Sequence, residues 1–145
     1  MKNYLINREK MYINQYKILH NSKKSYGSTS IDFLEELKIT IEYLKPRTIL
    51  DYGCGKGTLI RALKNIYPEI NIYGYDPAIE EFKNLEIDNA DLIINTDVLE
   101  HIPEDMLEDV VKKMSNISKN IFFSLHHRPA NNILPDGSNA HCTIK

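Results

Sequence analysis

Apolar positions along the chain recur with two different periods. Ile31, Leu34, Leu37, Ile41 and Leu44 are three or four residues apart, the stripe of a helix with one buried face. Ser30 stands where a cap is expected, Asp32, Glu35 and Glu36 follow where the helix dipole favours acids, and Pro46 ends the pattern. Leu59, Ile60, Leu63, Ile66 and Tyr67 make a second stripe, stopped by Pro68. A third opens at Pro103-Glu104 and carries Leu107, Val110, Val111, Met114 and Ile117, all expected to face the core. A weaker stripe, Leu5, Tyr12, Tyr16 and Leu19, predicts a helix over 8–20 and then a polar loop to Gly27. The short apolar runs between these stripes predict strands at Thr48–Leu50, Ile70–Asp76, Asp91–Thr96 and Ile121–Leu125. Strand and helix alternate, so the expected fold is α/β, a doubly wound, mainly parallel Rossmann-like sheet with helices on both faces.

Chemistry collects where the strands end. Asp51 closes the first strand, and Gly53, Gly55 and Gly57 then turn the chain into the next helix. Glycines suit a backbone that must take conformations a Cβ obstructs and approach a ligand closely. The spacing is not the Gly-x-Gly-x-x-Gly of a dinucleotide turn, nor does Lys56 stand in a phosphate-binding P-loop. An acid two residues before the first glycine repels a pyrophosphate and suits a cationic amino-acid group. The second strand also ends in an acid, Asp76-Pro77, close to the ~20-residue interval at which a second-strand carboxylate meets a ribose. Capping the next segment across Pro77 is the structural alternative for Asp76. Asp97-Val-Leu-Glu-His-Ile-Pro103 follows the next strand.

The run Asp-x-Gly-x-Gly-x-Gly resembles motif I of the class I S-adenosylmethionine (SAM) dependent methyltransferases, small-molecule type. With Tyr73–Pro77 and Asp97–Pro103 the resemblance covers about half the chain. It implies SAM as cofactor, S-adenosylhomocysteine as product, and cofactor contacts from Asp51, Gly53, Cys54, Gly55, Asp76, Pro77, Thr96, Asp97 and Val98. His101 and His126 are the catalytic candidates, able to take a proton from a hydroxyl acceptor near neutrality; for His101 the alternative is a structural one, fixing the turn with Glu100. Asp97, Glu100 and His101 also resemble the metal-binding run of ubiquinone-pathway O-methyltransferases and small-RNA 2'-O-methyltransferases. No metal ligands are assigned. His126, His127, His141 and Cys142 share no recognised zinc spacing. DNA amine methyltransferases usually carry Asn/Asp-Pro-Pro-Tyr/Phe where this chain has Asn95-Thr-Asp-Val98, which argues against DNA as substrate. Two parts of the family pattern are short. A third strand is reduced to a fragment near 85–87 or lost, leaving the adenine pocket unassigned, and the closing antiparallel hairpin is not evident after Leu125.

With 145 residues, 42% of them hydrophobic, the chain has the size of one domain. The expected division is an N-terminal helix and candidate lid over 1–29, with Tyr26-Gly27 folding over the ligand, and a SAM-binding domain over 30–145. A net charge of −2 gives no bulk attraction to nucleic acid. No apolar run is long enough to span a membrane and no secretory signal precedes the first helix, so the expected location is cytoplasmic. Cys54 and Cys142 are expected as free thiols. The expected partners are a small-molecule acceptor (sugar, metabolite or cell-surface precursor), with no DNA and no membrane, and a second copy or partner chain completing the site. Three other readings stand beside this one: a SAM-binding subunit without turnover, a metal-assisted 2'-O RNA methyltransferase, and a dinucleotide-dependent oxidoreductase.

Overall fold

The computed structural model describes residues 2–24 and 26–143; the side chain of Leu5 lies outside the described residues. Four strands form one parallel sheet: β1 (Thr48–Tyr52), β2 (Asn71–Tyr75), β3 (Leu92–Thr96) and β4 (Ile121–Ser124), in the order β2-β1-β3-β4. Leu50 on β1 pairs with Tyr73 on one side and Ile93 on the other. The chain leaves β1 for β2 and then crosses back to β3 on the opposite side. The carboxyl ends of β1 and β3 therefore flank a topological switch point, where sheets of this kind leave a crevice.

Four α-helices accompany the sheet: α1 (Lys2–Ser22), α2 (Leu34–Leu44), α3 (Thr58–Ile66) and α4 (Glu104–Ile117). Strand residues alternate between the two faces. Ile49, Ile72, Leu92 and Ile94 meet Leu37 and Ile41 of α2 and Leu59, Ile60 and Leu63 of α3. Leu50, Tyr52 and Ile93 meet Met114 and Ile117 of α4. Both faces are thus covered, which is why β3 is buried at every position. Among the described residues the first helix joins neither cluster; its Leu19 packs with Leu134 and Ala140 of the C-terminal segment.

The structure departs from the sequence pattern in a few places. α1 begins well before residue 8 and runs past residue 20. Ser30 does not cap α2; it lies inside a 3-10 turn, Thr29–Phe33, that leads directly into the helix. α2 ends with Lys45 in the left-handed region at φ 48°, a stop made before Pro46 is reached. The spacing of Ile66 and Val111 predicts core positions, yet they are 41% and 43% exposed. Among the described residues no strand occurs between β2 and β3, where the chain makes a single 3-10 turn, Glu80–Phe82. After β4 the described residues form only an isolated antiparallel bridge, Ile133 to Asn139. No helix is long and apolar enough to cross a membrane among the described residues.

Candidate functional site

A cavity of about 1130 Å3 opens at the carboxyl ends of β1, β2 and β3. Gly53, Gly55, Asp76, Pro77, Thr96, Asp97, Val98, His101 and His126 all line it, so four separate stretches of sequence reach one space. Asp51 and Cys54 do not. Both are about 1% exposed and stand behind the wall.

The glycine turn is fixed by φ values of 86°, 53° and 71° at Gly53, Gly55 and Gly57, a region that side chains disfavour. The space beside the glycines is occupied by the protein itself. A Cβ on Gly53 would fall 2.3 Å from Val98, and one on Gly55 would fall 2.3 Å from the carbonyl oxygen of Gly27. The turn's N–H groups are also spent. Gly53 and Cys54 donate to Tyr75 O, Gly55 to Asp76 Oδ2, Lys56 to Gly27 O, and Gly57 to Cys54 O. Asp76 accepts a second bond, from Ala78 N–H at 2.9 Å on Oδ1. Asp51 contrasts with it: neither of its carboxylate oxygens has a partner, and burial, helped by the nearby Asp76 charge, pushes it up to about 8.

The opposite wall is built after β3. Asp97 has φ 56°, a strained conformation for a residue with a side chain. Its surroundings hold it there: its N–H donates to Ser124 Oγ, the Ser124 hydroxyl and His126 Nδ1 donate to Oδ1 at 2.8 and 3.0 Å, and the Thr29 hydroxyl donates to Oδ2 at 3.2 Å. Glu100 is fully buried behind it; Oε1 accepts from the His126 N–H at 3.0 Å and Oε2 has no partner. His101 donates from Nδ1 to Ala140 O at 2.7 Å, which leaves Nε2 as its unprotonated nitrogen. Burial holds His101 below the ordinary histidine value, and a neutral ring results at pH 7.

The cover comes from α1 and the loop after it. Tyr12, Tyr16 and His20, four residues apart on one face of α1, line the cavity together with Tyr26, Gly27 and Thr29. Tyr16 donates to His101 O and Ala140 O, Tyr26 packs edge-on to His20 and His101, and Lys56 Nζ clasps the carbonyls of Lys23 and Lys24. The 26–27 loop therefore lies over the glycine turn.

A family profile for methyltransferase domains matches residues 28–135, most of the chain. The chain belongs to the methyltransferase-domain family. No curated protein sequence matches it. The match begins at the loop over the glycine turn and contains all four strands, so the cavity is the crevice of a methyltransferase domain.

Several lining residues lie outside the matched span of the methyltransferase domain and belong to none of its motifs. Tyr12 and Tyr16 stand in the weak stripe of α1, and His20, four residues further on, extends the same face to the cavity. His141 lines the cavity beyond the Pro135-Asp136-Gly137 turn, beside His101 with ring centroids 4.8 Å apart. His127 and Arg128, which follow His126 in the chain, are not on the cavity wall.

Proposed function

We propose that the chain is a SAM-dependent methyltransferase acting on a small-molecule hydroxyl or amine. The carrying observation is that every N–H from Gly53 to Gly57 already has a protein partner beside a cavity edged by Asp76 and Asp97. A pyrophosphate needs free backbone donors and no adjacent carboxylate. A cationic sulfonium nucleoside needs no such donors and gains from the acids.

In this reading Asp76 holds the ribose. An ionised carboxylate has about four acceptor positions, so the bonds from Gly55 and Ala78 leave room for two hydroxyls. The backbone at Gly53 and Thr96–Val98 lies along the methionine portion, and Asp51 supports the turn from behind. The acceptor enters between His101 and His126, where neutral His101 is suited to receive a hydroxyl proton. Aligning the acceptor with the methyl carbon supplies much of the catalysis, about 7–11 kcal/mol in well-oriented systems.

Calorimetry with SAM, S-adenosylhomocysteine and NAD separates the readings. One site for SAM or S-adenosylhomocysteine and none for NAD is expected, and NAD binding without SAM binding rejects the proposal. Mass spectrometry of incubations with SAM and candidate sugars, amines and phenols then distinguishes an enzyme, which yields acceptors heavier by one methyl group, from a SAM-binding subunit without turnover.

A further inference from the structure

The cavity is larger than one nucleoside-sized ligand requires. Its volume of about 1130 Å3 exceeds the roughly 300–1,000 Å3 of ordinary small-molecule pockets, and its lining continues away from the strand ends along α1 and α4. Ile6 and Ile13, seven residues apart on one face of α1, line this part, and Ile102 and Met106 line it where α4 begins. Among the described residues, none of these four side chains belongs to a core cluster. Ile6 is 48% exposed and the other three are half-buried. Apolar walls left uncovered in this way favour a ligand that removes them from water.

Polar contacts hold the two walls in place. Arg8 of α1 is bonded to Asp105 of α4, and the Tyr16 hydroxyl donates to His101 O at 3.1 Å and to Ala140 O at 2.7 Å. The slot is therefore set by how α1 is seated, and it is not a gap left by loose packing. Its inner end is the acceptor position described above: the Tyr16 ring meets His101 edge-on with centroids 5.5 Å apart. Tyr52 and Tyr75, with rings 4.9 Å apart, add aromatic surface to the same cavity.

We propose that this slot takes the body of the acceptor, and that this body is elongated and apolar, an alkyl chain or an alkyl-substituted ring. A sugar would set its hydroxyls against Ile13, Ile102 and Met106, whose side chains answer none of them, and each unanswered hydroxyl is costly. An apolar body covers those side chains, while its one polar group stays at the inner end between His101 and His126. That the occupant is the methyl acceptor rests on the cofactor reading. That it is apolar does not.

The test is calorimetry of the full chain with phenol and with para-ethyl-, para-butyl- and para-hexylphenol, with glucose as the polar comparison. Each two-carbon step should tighten binding a little over tenfold, the worth of two buried methylenes. Ile13→Trp, which fills the slot from α1, and Met106→Glu, which puts a charge on the α4 side, should each weaken hexylphenol binding at least tenfold and leave phenol nearly unchanged. Ile39→Trp on α2, away from the cavity, should change neither. The two slot variants lie on different helices, so one keeps the test open if the other does not fold. Equal affinity along the series, a series indifferent to the folded slot variants, or glucose binding as tightly as hexylphenol overturns the proposal. SAM calorimetry on the same samples reads the cofactor site separately. SAM binding without chain-length dependence rejects the slot and leaves the cofactor reading standing; chain-length dependence without SAM binding leaves an apolar ligand site and rejects its use for a methyl acceptor.

Discussion

Asp51, the penultimate residue of β1, and Asp76, just beyond β2, lie close enough to interact, and the fold gives the two carboxylates opposite surroundings. Asp76 has a hydrogen bond on each oxygen, from Gly55 and Ala78, and faces the cavity. Asp51 has none on either oxygen and is sealed behind the glycine turn. The difference arises from the path of the chain beyond each strand. After Asp76 the chain bends through Pro77 so that Ala78 N–H returns to the carboxylate, while the turn after Asp51 sends its N–H groups outward to Tyr75, Asp76 and Gly27. Asp76 therefore stabilises the turn through its two hydrogen bonds, and Asp51 is accommodated mainly as a neutral acid.

The largest expected effect comes from removing Asp76. Asp76→Ala strips the acceptor from two backbone N–H groups, and at about 1.5–3 kcal/mol each the fold should lose roughly 3–6 kcal/mol. Asp76→Asn keeps one acceptor oxygen and should recover about half of that loss. Urea denaturation of the three proteins at one pH checks both. A loss below about 1 kcal/mol for the alanine variant would mean that Asp76 does not organise the turn.

Asp51 should show itself through pH. Its folded value of about 8 lies above the ordinary aspartate value of 3.8. Below the lower value both states carry the proton; between the two the unfolded chain releases it while the folded chain retains it. Stability from this group is therefore present in acid and lost as pH rises toward about 8, after which the loss levels off. The slope limit is about 1.4 kcal/mol per pH unit, so roughly 3–4 kcal/mol should separate pH 5 from pH 8. Asp51→Asn should remove that difference and be the more stable protein at pH 8. Parallel pH profiles for the two proteins would refute the assignment. If a cationic ligand enters the cavity, it should also draw a proton off Asp51, seen as proton release in calorimetry repeated in buffers of different ionisation enthalpy.

This contrast also marks how far the residues alone could be read. The periods of Leu37-Ile41, Leu59-Ile60-Leu63 and Met114-Ile117 specify which helix faces are buried, and alternation of Ile49 with Leu50 allots the strand residues to two sides. Such patterns are local and repeat, so they are legible. The motif acids could be placed at strand ends for the same reason. Their partners could not, because the bonds to Asp76 and the lack of any to Asp51 depend on how two turns from different strands meet. The same limit hid His141. Its place beside His101 depends on Gln15, Asp136 and Asn139 fixing a segment far from it in sequence. Glycine spacing was legible as a tight turn, whereas its immediate cause, the approach of Val98 and of the Gly27 carbonyl, involves residues distant along the chain.

The smallest effect concerns the cover, and it tests whether the loop is tied to the Asp76 side of the comparison alone. Asp76 fixes Gly55, the next residue donates its N–H to Gly27 O, and the Lys56 ammonium holds the carbonyls of Lys23 and Lys24. These side-chain bonds are exposed, so Lys56→Met should cost no more than about 1 kcal/mol of global stability. Local opening is more sensitive: about 1 kcal/mol raises the opened population about fivefold, and trypsin cutting after Lys23 or Lys24 tracks that population. Mass spectrometry of the fragments should show faster cleavage there in Lys56→Met and in Asp76→Ala, with Asp51→Asn matching the parent protein. Acceleration in Asp51→Asn would mean that the sealed acid also restrains the loop. No acceleration in Lys56→Met would place the hold on the loop elsewhere, in the packing of Tyr26 against His20 and His101.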